Sequence, residues 1–197
     1  MSIGHFADRL IAEVNAKRSA TCVGFDPLLD RLPTSIGVSA GSSAADIAGA
    51  FVTFGRGVIE AVAAHIAGIK INIAFFEPYF TDGWSAYQAL VAEAHAAGLV
   101  VIGDIKRADI GHTSRQYAVA HLGKPGAGSI DNAAMPDAVT TNPYFGSDGL
   151  VPFIDVARSE GRGVFALVQT SNESASQIQN LVTSDGRTVA QHAAALV

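Results

Sequence analysis

The chain has 197 residues, 49% of them hydrophobic and 16% charged, which allows one sizeable core and excludes a disordered, charge-rich polymer. A net charge of −5 leaves no basic footprint for nucleic acid or an anionic membrane surface, and no apolar run reaches transmembrane length. Cys22 is the only cysteine, so neither an internal disulfide nor a cysteine-based metal cluster can form.

The first residues, Met1 to Arg9, lack the apolar core of a signal peptide, and a cytoplasmic location is the expectation. Residues 5–17 predict an amphipathic helix with Phe6, Leu10, Ile11 and Val14 on one side. A strand is expected at 21–25, with Cys22 as a small buried core residue, and it ends in Asp26-Pro27. Alone, an aspartate at such a point reads as a turn former. Residues 30–43 are loop-like, and a long helix is predicted from Ala44 to Ala67 with Asp46 near its start. The second strand, Gly68 to Phe76, carries Lys70 inside an apolar run, with Asn72 on the same face. A lysine there costs free energy unless it is paired with a charge.

After a helix at 84–97, Val100-Val101-Ile102 opens a strand buried on both faces, and charges then arrive abruptly as Asp104, Lys106, Arg107 and Asp109. The period of two aims Asp104 and Lys106 the same way, while Asp109 falls where the next helix, 114–121, begins. Taken alone, these charges also suit a helix cap at Asp109 and a snorkelling Lys106 in a salt bridge with Asp104. Lys124 to Gly128 reads as a turn, not a phosphate-binding P-loop, because the lysine precedes its glycines. Strands at 137–142 and 164–169 follow, separated by a helix at 150–160; the second leads to Thr170-Ser171-Asn172, and a last helix is predicted from Thr188 to Val197. His65 and His95 fall in predicted helices and His112 beside the charged stretch, with no metal-ligand spacing.

Strand and helix alternate with short glycine-marked returns, the rhythm of a parallel α/β fold, either a (β/α)8 barrel or a doubly wound sheet. Polar residues ending strand after strand (Asp26, Lys70, Asp104, Asn142, Ser171) favour the TIM barrel. Complete barrels usually need about 200–250 residues or more. With five strands and a sixth helix readable, the expectation is a single domain over 1–197 that holds the first five to six βα units and stops before the last three.

Asp-Ile-Lys-Arg-Ala-Asp-Ile-Gly-His-Thr at 104–113 closely resembles the catalytic signature of the orotidine 5'-phosphate decarboxylase family. Val-Gly-Phe-Asp-Pro at 23–27, Ile-Lys-Ile-Asn-Ile-Ala-Phe-Phe-Glu at 69–77, Asp-Ala-Val-Thr-Thr-Asn-Pro-Tyr at 137–144, Gly-Val-Phe-Ala-Leu-Val-Gln-Thr-Ser-Asn at 163–172 and Gly-Arg-Thr-Val-Ala-Gln at 186–191 follow the family's order. The likeness is greatest to its longer bacterial subgroup, which includes actinobacterial enzymes; Asn72, where that subgroup often has glutamine, is a minor departure. The resemblance implies conversion of orotidine 5'-phosphate to uridine 5'-phosphate in pyrimidine synthesis, without metal or organic cofactor. It makes Lys106 the proton donor to C6 and puts Asp104 beside the substrate carboxylate. Lys70 and Asp26 would hold ribose hydroxyls and complete the charge network, and Ser171 would meet the pyrimidine. Asp109 would be a further catalytic group, and Ile110 and Thr113 would bind substrate, with Asp109 and Thr113 completing the site of the partner in a homodimer. The family's phosphate grip comes from the last barrel strands, which are expected to be absent here.

Three alternatives compete. A magnesium-dependent sugar-phosphate aldolase or decarboxylase of the same barrel superfamily shares Asp-x-Lys but needs an acidic ligand on the second strand, where Lys70 stands. A Schiff-base aldolase needs a neutral lysine, which neighbouring carboxylates oppose. A non-catalytic nucleotide-binding subunit would use the same charges for ligand or interface alone.

Overall fold

The computed structural model describes residues 4–123 and 132–197. The turn expected at Lys124 to Gly128 lies outside the described residues. Five strands, β1 (Cys22–Phe25), β2 (Gly68–Asn72), β3 (Val100–Arg107), β4 (Ala138–Thr141) and β5 (Gly163–Ala166), pair in parallel in their order along the chain. An unbroken sequential order has no point at which the winding reverses, so the sheet is singly wound, an arc of a (β/α) barrel and not a doubly wound sheet.

The α-helices among the described residues are α1 (Phe6–Lys17), α2 (Ala44–Val62), α3 (Phe80–Ala96), α4 (Gly111–Leu122), α5 (Ser147–Glu160) and α6 (Val189–Ala194). The main core lies between one face of the sheet and the connecting helices. There Phe25, Ile69, Ile71, Val101 and Val139 meet Phe51, Leu90, Leu122 and Phe153. Helix α2 begins with a capping box, the Ser43 hydroxyl accepting from the Asp46 amide and the Asp46 carboxylate from the Ser43 amide. The Lys17 ammonium donates to the Ala63 carbonyl just past its other end, 2.7 Å away, where a cation meets the helix dipole favourably.

On the opposite, concave face, α1 inserts Phe6 at the N-terminal end of the strands, against Val100 and Ala138 and edge-to-face with Phe165. Gly163 makes this possible, because a Cβ there would come within 2.3 Å of the Phe6 ring. One end of the concave face is thereby plugged with hydrocarbon, and polar groups gather towards the other.

Several boundaries differ from those expected. Strand β2 ends at Asn72, not Phe76, because the Asn72 carboxamide accepts the Ala74 amide (3.2 Å) and starts a 3-10 turn, Ile73–Phe75. Helix α2 ends at Val62, which leaves His65 in a turn, and β5 and α6 stop short of Gln169 and Val197. Cys22 is exposed, contrary to its expected burial, since it lies on the concave face of an edge strand with no layer over it. Asp109 is not a helix cap: α4 starts at Gly111 behind Ile110, without a side-chain cap. No helix among the described residues is long and apolar enough to cross a membrane.

Candidate active site

Strand β3 has the sequence of a buried strand for its first half, and Asp104 extends that burial with only 4% of its surface exposed. An ionised carboxylate survives there only if its oxygens are paired. Both are. The Lys70 ammonium, from β2, donates to Oδ2 at 2.5 Å, and the Lys106 ammonium, two residues along β3, donates to Oδ1 at 2.5 Å. The Thr140 hydroxyl, from β4, also donates to Oδ1, at 2.8 Å. Burial pushes the Asp104 carboxyl up, but the bonds from Lys106, Lys70 and Thr140 outweigh it and hold the group below its usual range.

The two lysines are far more open than the acid between them, with 32% of the Lys70 and 49% of the Lys106 side chain exposed. Two ammoniums around one carboxylate leave a net positive charge. Each ammonium also keeps N–H donors beyond the one given to Asp104, directed at whatever occupies the concave face. The arrangement can hold an anionic or hydroxyl-rich ligand and place a protonated amine beside a reacting carbon.

The backbone around Lys106 departs from a regular strand. Between Gly103 and Arg107 β3 advances four residues while β4 advances two, from Val139 to Thr141. Lys106 itself has φ of +45°, a left-handed conformation uncommon for a residue with a side chain. Such bulges often re-aim a side chain beside a functional site. On the helix side, Gly103 lets the buried Tyr87 approach, since a Cβ there would come within 2.6 Å of the phenol oxygen. Burial and the Asp104 charge push that phenol's pKa up. Arg107 turns away from the cluster to pair with Glu77 and to lie over the Tyr117 ring, 5.9 Å from its centre.

Of the residues the sequence singles out, the fold brings Lys70, Asp104 and Lys106 into direct contact. No hydrogen bond or ion pair among the described residues joins the others to them. Asp26 is exposed just beyond β1. Asp109 is half-buried, with Oδ1 accepting from the Ile110 amide at 2.8 Å. Ile110 and Thr113 are exposed at the start of α4, and Ser171 is exposed in the chain following β5. Among the described residues no group of three histidine, cysteine or acidic side chains is placed to hold a metal ion.

Sequence reading missed Thr140, although alternation from Ala138 puts it on the concave face. A hydroxyl inside a short buried strand was the available signal. It also missed Asp137, one residue before β4, which accepts from Arg9 (2.5 Å), from His95 (2.9 Å) and from the Val101 amide (2.8 Å) at the opposite end of the sheet. His95, placed by the sequence in a helix without metal-ligand spacing, is one of its partners.

The chain is similar to known proteins along nearly its whole length. The chain is 39% identical over 196 residues to the orotidine 5'-phosphate decarboxylase of Rhodopirellula baltica, covering 98% of this chain and 63% of that protein. Its identity to the Streptomyces coelicolor enzyme of the same name is also 39%, over 88% of this chain and 58% of the relative. A crystal structure from Streptomyces avermitilis superposes with a TM-score of 0.83 at 37% identity, over 99% of this chain and 64% of that one. The Leishmania donovani OMP decarboxylase structure gives 0.73 at 32% identity, over 96% and 63%. The chain thus spans less than two thirds of the length of these relatives. With residues 55–196 matching its sequence pattern, the chain belongs to the orotidine 5'-phosphate decarboxylase / HUMPS family.

Proposed function

We propose that this chain forms the greater part of an orotidine 5'-phosphate decarboxylase, which converts that nucleotide to uridine 5'-phosphate and CO2. The observation that carries the reading is the Lys70–Asp104–Lys106 cluster on the concave face, in a chain so similar to proteins bearing that name. The C6–carboxylate bond breaks, neutral CO2 departs, and the electron pair remains at C6, where the ring cannot readily delocalise it. The Lys106 ammonium stabilises that developing charge and gives C6 its proton. The resulting amine regains a proton from water, which restores the ammonium. Asp104 faces the substrate carboxylate, and their repulsion is relieved as CO2 leaves.

In this reading Lys70 and Asp26 hold ribose hydroxyls, and Ser171 meets the pyrimidine. Asp109 is a further catalytic group, and Ile110 and Thr113 bind substrate, with Asp109 and Thr113 entering the partner's site in a homodimer. Ile110 and Thr113 are exposed, Asp109 is half-buried, and none of the three is bonded to the cluster within one chain, which supports that assignment. The chain is read as one barrel domain, acting in the cytoplasm without a cofactor. A magnesium-dependent sugar-phosphate enzyme is disfavoured because a dication at Asp104 would have to share its oxygens with two ammoniums.

The test is decarboxylation of orotidine 5'-phosphate, followed by ultraviolet absorbance, in the complete encoded protein as wild type and in its Lys106→Ala variant. Turnover that falls by about 10³-fold or more in the variant is expected. Absence of turnover in folded, dimeric wild-type protein would overturn the reading.

A further inference from the structure

The break in register between β3 and β4 leaves a problem of satisfaction at Lys106. In a regular parallel pair its amide would donate to a backbone carbonyl of the neighbouring strand. Here it donates to the Thr140 hydroxyl at 3.0 Å. The next residue is held from the same strand: the Thr141 hydroxyl donates to the Arg107 carbonyl at 2.9 Å, and the Asn142 amide donates to that carbonyl at 3.1 Å. Two adjacent threonines of β4 therefore replace the missing part of the ladder with side chains.

Thr140 differs from Thr141 in having a second task. Its oxygen accepts the Lys106 amide, and its single hydroxyl proton goes to Asp104 Oδ1 at 2.8 Å. Asp104 Oδ1 in turn accepts the Lys106 ammonium at 2.5 Å. The three residues form a closed ring, running from the Lys106 amide through the threonine hydroxyl and the carboxylate back to the Lys106 ammonium. Both ends of one lysine are fixed by it. The direction of each bond is settled by chemistry, since an amide can only donate and an ionised carboxylate can only accept. The hydroxyl is buried, so water does not readily substitute for it.

We infer that Thr140 is a positioning residue: its hydroxyl holds the left-handed backbone of Lys106 and the rotamer of Asp104 together, and so sets where the Lys106 ammonium sits. A non-glycine residue at φ of +45° persists when its surroundings over-determine it, and this ring supplies that constraint. For its kinetic consequence the inference rests on the decarboxylase reading; the ring itself stands without it.

The experiment compares Thr140→Val, which keeps the branched shape and removes the hydroxyl, with Thr140→Ser, which keeps the hydroxyl. Steady-state decarboxylation should show kcat reduced about 10- to 100-fold in Thr140→Val with KM changed much less, as expected when a reacting group is misplaced while binding groups remain. Thr140→Ser should stay within about threefold of the wild type. The second readout is the carboxyl titration of Asp104 by NMR. Loss of the hydroxyl donor should move its midpoint upward in Thr140→Val, and Thr140→Ser should restore it, which a space-filling role would not do. Should Thr140→Val not fold, Thr140→Ala takes its place in both measurements. A wild-type kcat and unmoved Asp104 titration in the hydroxyl-free variant would overturn the inference, as would a Thr140→Ser protein as impaired as Thr140→Val. If the wild type itself shows no turnover, the decarboxylase reading fails, and the Asp104 titration alone decides the role of Thr140.

Discussion

Two aspartates are buried at opposite ends of the sheet, and each is bracketed by two cationic side chains. Asp104 lies between Lys70 and Lys106, towards the C-terminal ends of the strands, and Asp137 lies between Arg9 and His95 at the N-terminal ends. What separates them is how the cations use their remaining donors. Arg9 also donates to the Gly161 carbonyl and His95 to the Ala133 carbonyl, so α1, α3, β4 and the α5–β5 turn are tied into one knot. Asp137 takes the Val101 amide as well, inside the sheet. The lysines at Asp104 have no second protein acceptor among the described residues and keep their spare N–H groups on the concave face. One cluster is closed on the protein, and the other is left open to a ligand.

Substitution should separate the two. Asp104→Asn keeps an acceptor for Thr140 but removes the charge that organises both ammoniums, and decarboxylation is expected to fall by about 10³-fold or more. Its melting temperature should stay within a few degrees, because the half-exposed lysines can hydrate. Activity and thermal melts on the same preparation check this, and a stable variant with near-normal turnover would break the comparison. Asp137→Ala should do the reverse. Stranding Arg9, His95 and the buried Val101 amide costs about 3–5 kcal/mol, or roughly 10 °C in melting temperature for a chain of this length. Turnover per folded molecule at low temperature should remain within a few-fold of wild type.

The closed cluster also has a pH signature. Both ring nitrogens of His95 face oxygens that can only accept, an arrangement that favours the imidazolium form, in which both nitrogens donate. Burial and the nearby Arg162 push its pKa down, yet the bond to Asp137, that carboxylate's charge and the Ala133 carbonyl outweigh them and raise it. A raised folded-state value means the contribution is fully present below the unfolded pKa of about 6.5 and is lost as pH rises through the folded value. The melting-temperature gap between wild type and His95→Gln should therefore be wide at mildly acidic pH and narrow as pH rises. A gap that does not change with pH would show that the ring is held neutral. The difference must be read between the two proteins, because His121 works in the opposite sense. Burial and the Arg107 charge hold its pKa down to about 4, so the wild type loses stability as pH falls below about 6.5.

The open cluster was legible in the sequence and the closed one was not, for a physical reason. Lys70 interrupts an apolar strand and Asp104 and Lys106 share a face by the period of two, so local pattern alone brings attention to them. Asp137 precedes a strand by one residue, a place where aspartate is commonplace, and its partners come from 128 and 42 residues away. Contacts of that span have no local signature. The alternation of elements likewise revealed a parallel α/β chain and the polar strand ends favoured the barrel, which the observed sequential strand order bears out. Thr140 was hidden by its strand, since a β-branched residue in a buried strand needs no other explanation.

A weaker version of the same open-versus-closed contrast lies beyond β5. Ser171, expected to meet the pyrimidine, is exposed, and the residue before it is clamped. The Gln179 carboxamide accepts the Thr170 amide at 2.8 Å and donates to the Thr170 hydroxyl at 2.7 Å. The Thr170 hydroxyl passes its own proton to Asn172 at 2.6 Å, so the two neighbours of Ser171 are fixed while Ser171 is free to face a ligand. Gln179→Ala removes a two-point clamp at a half-exposed site. Its cost should be small, an increase of about two- to fivefold in KM for orotidine 5'-phosphate with kcat nearly unchanged, because ground-state and transition-state contacts to the ring weaken together. Gln179→Glu should recover only part of the effect, since a carboxylate still accepts the Thr170 amide but cannot donate to the hydroxyl. A Gln179→Ala protein whose kcat falls while KM holds would instead place this loop among the groups that act only in the transition state, and Ser171 with it.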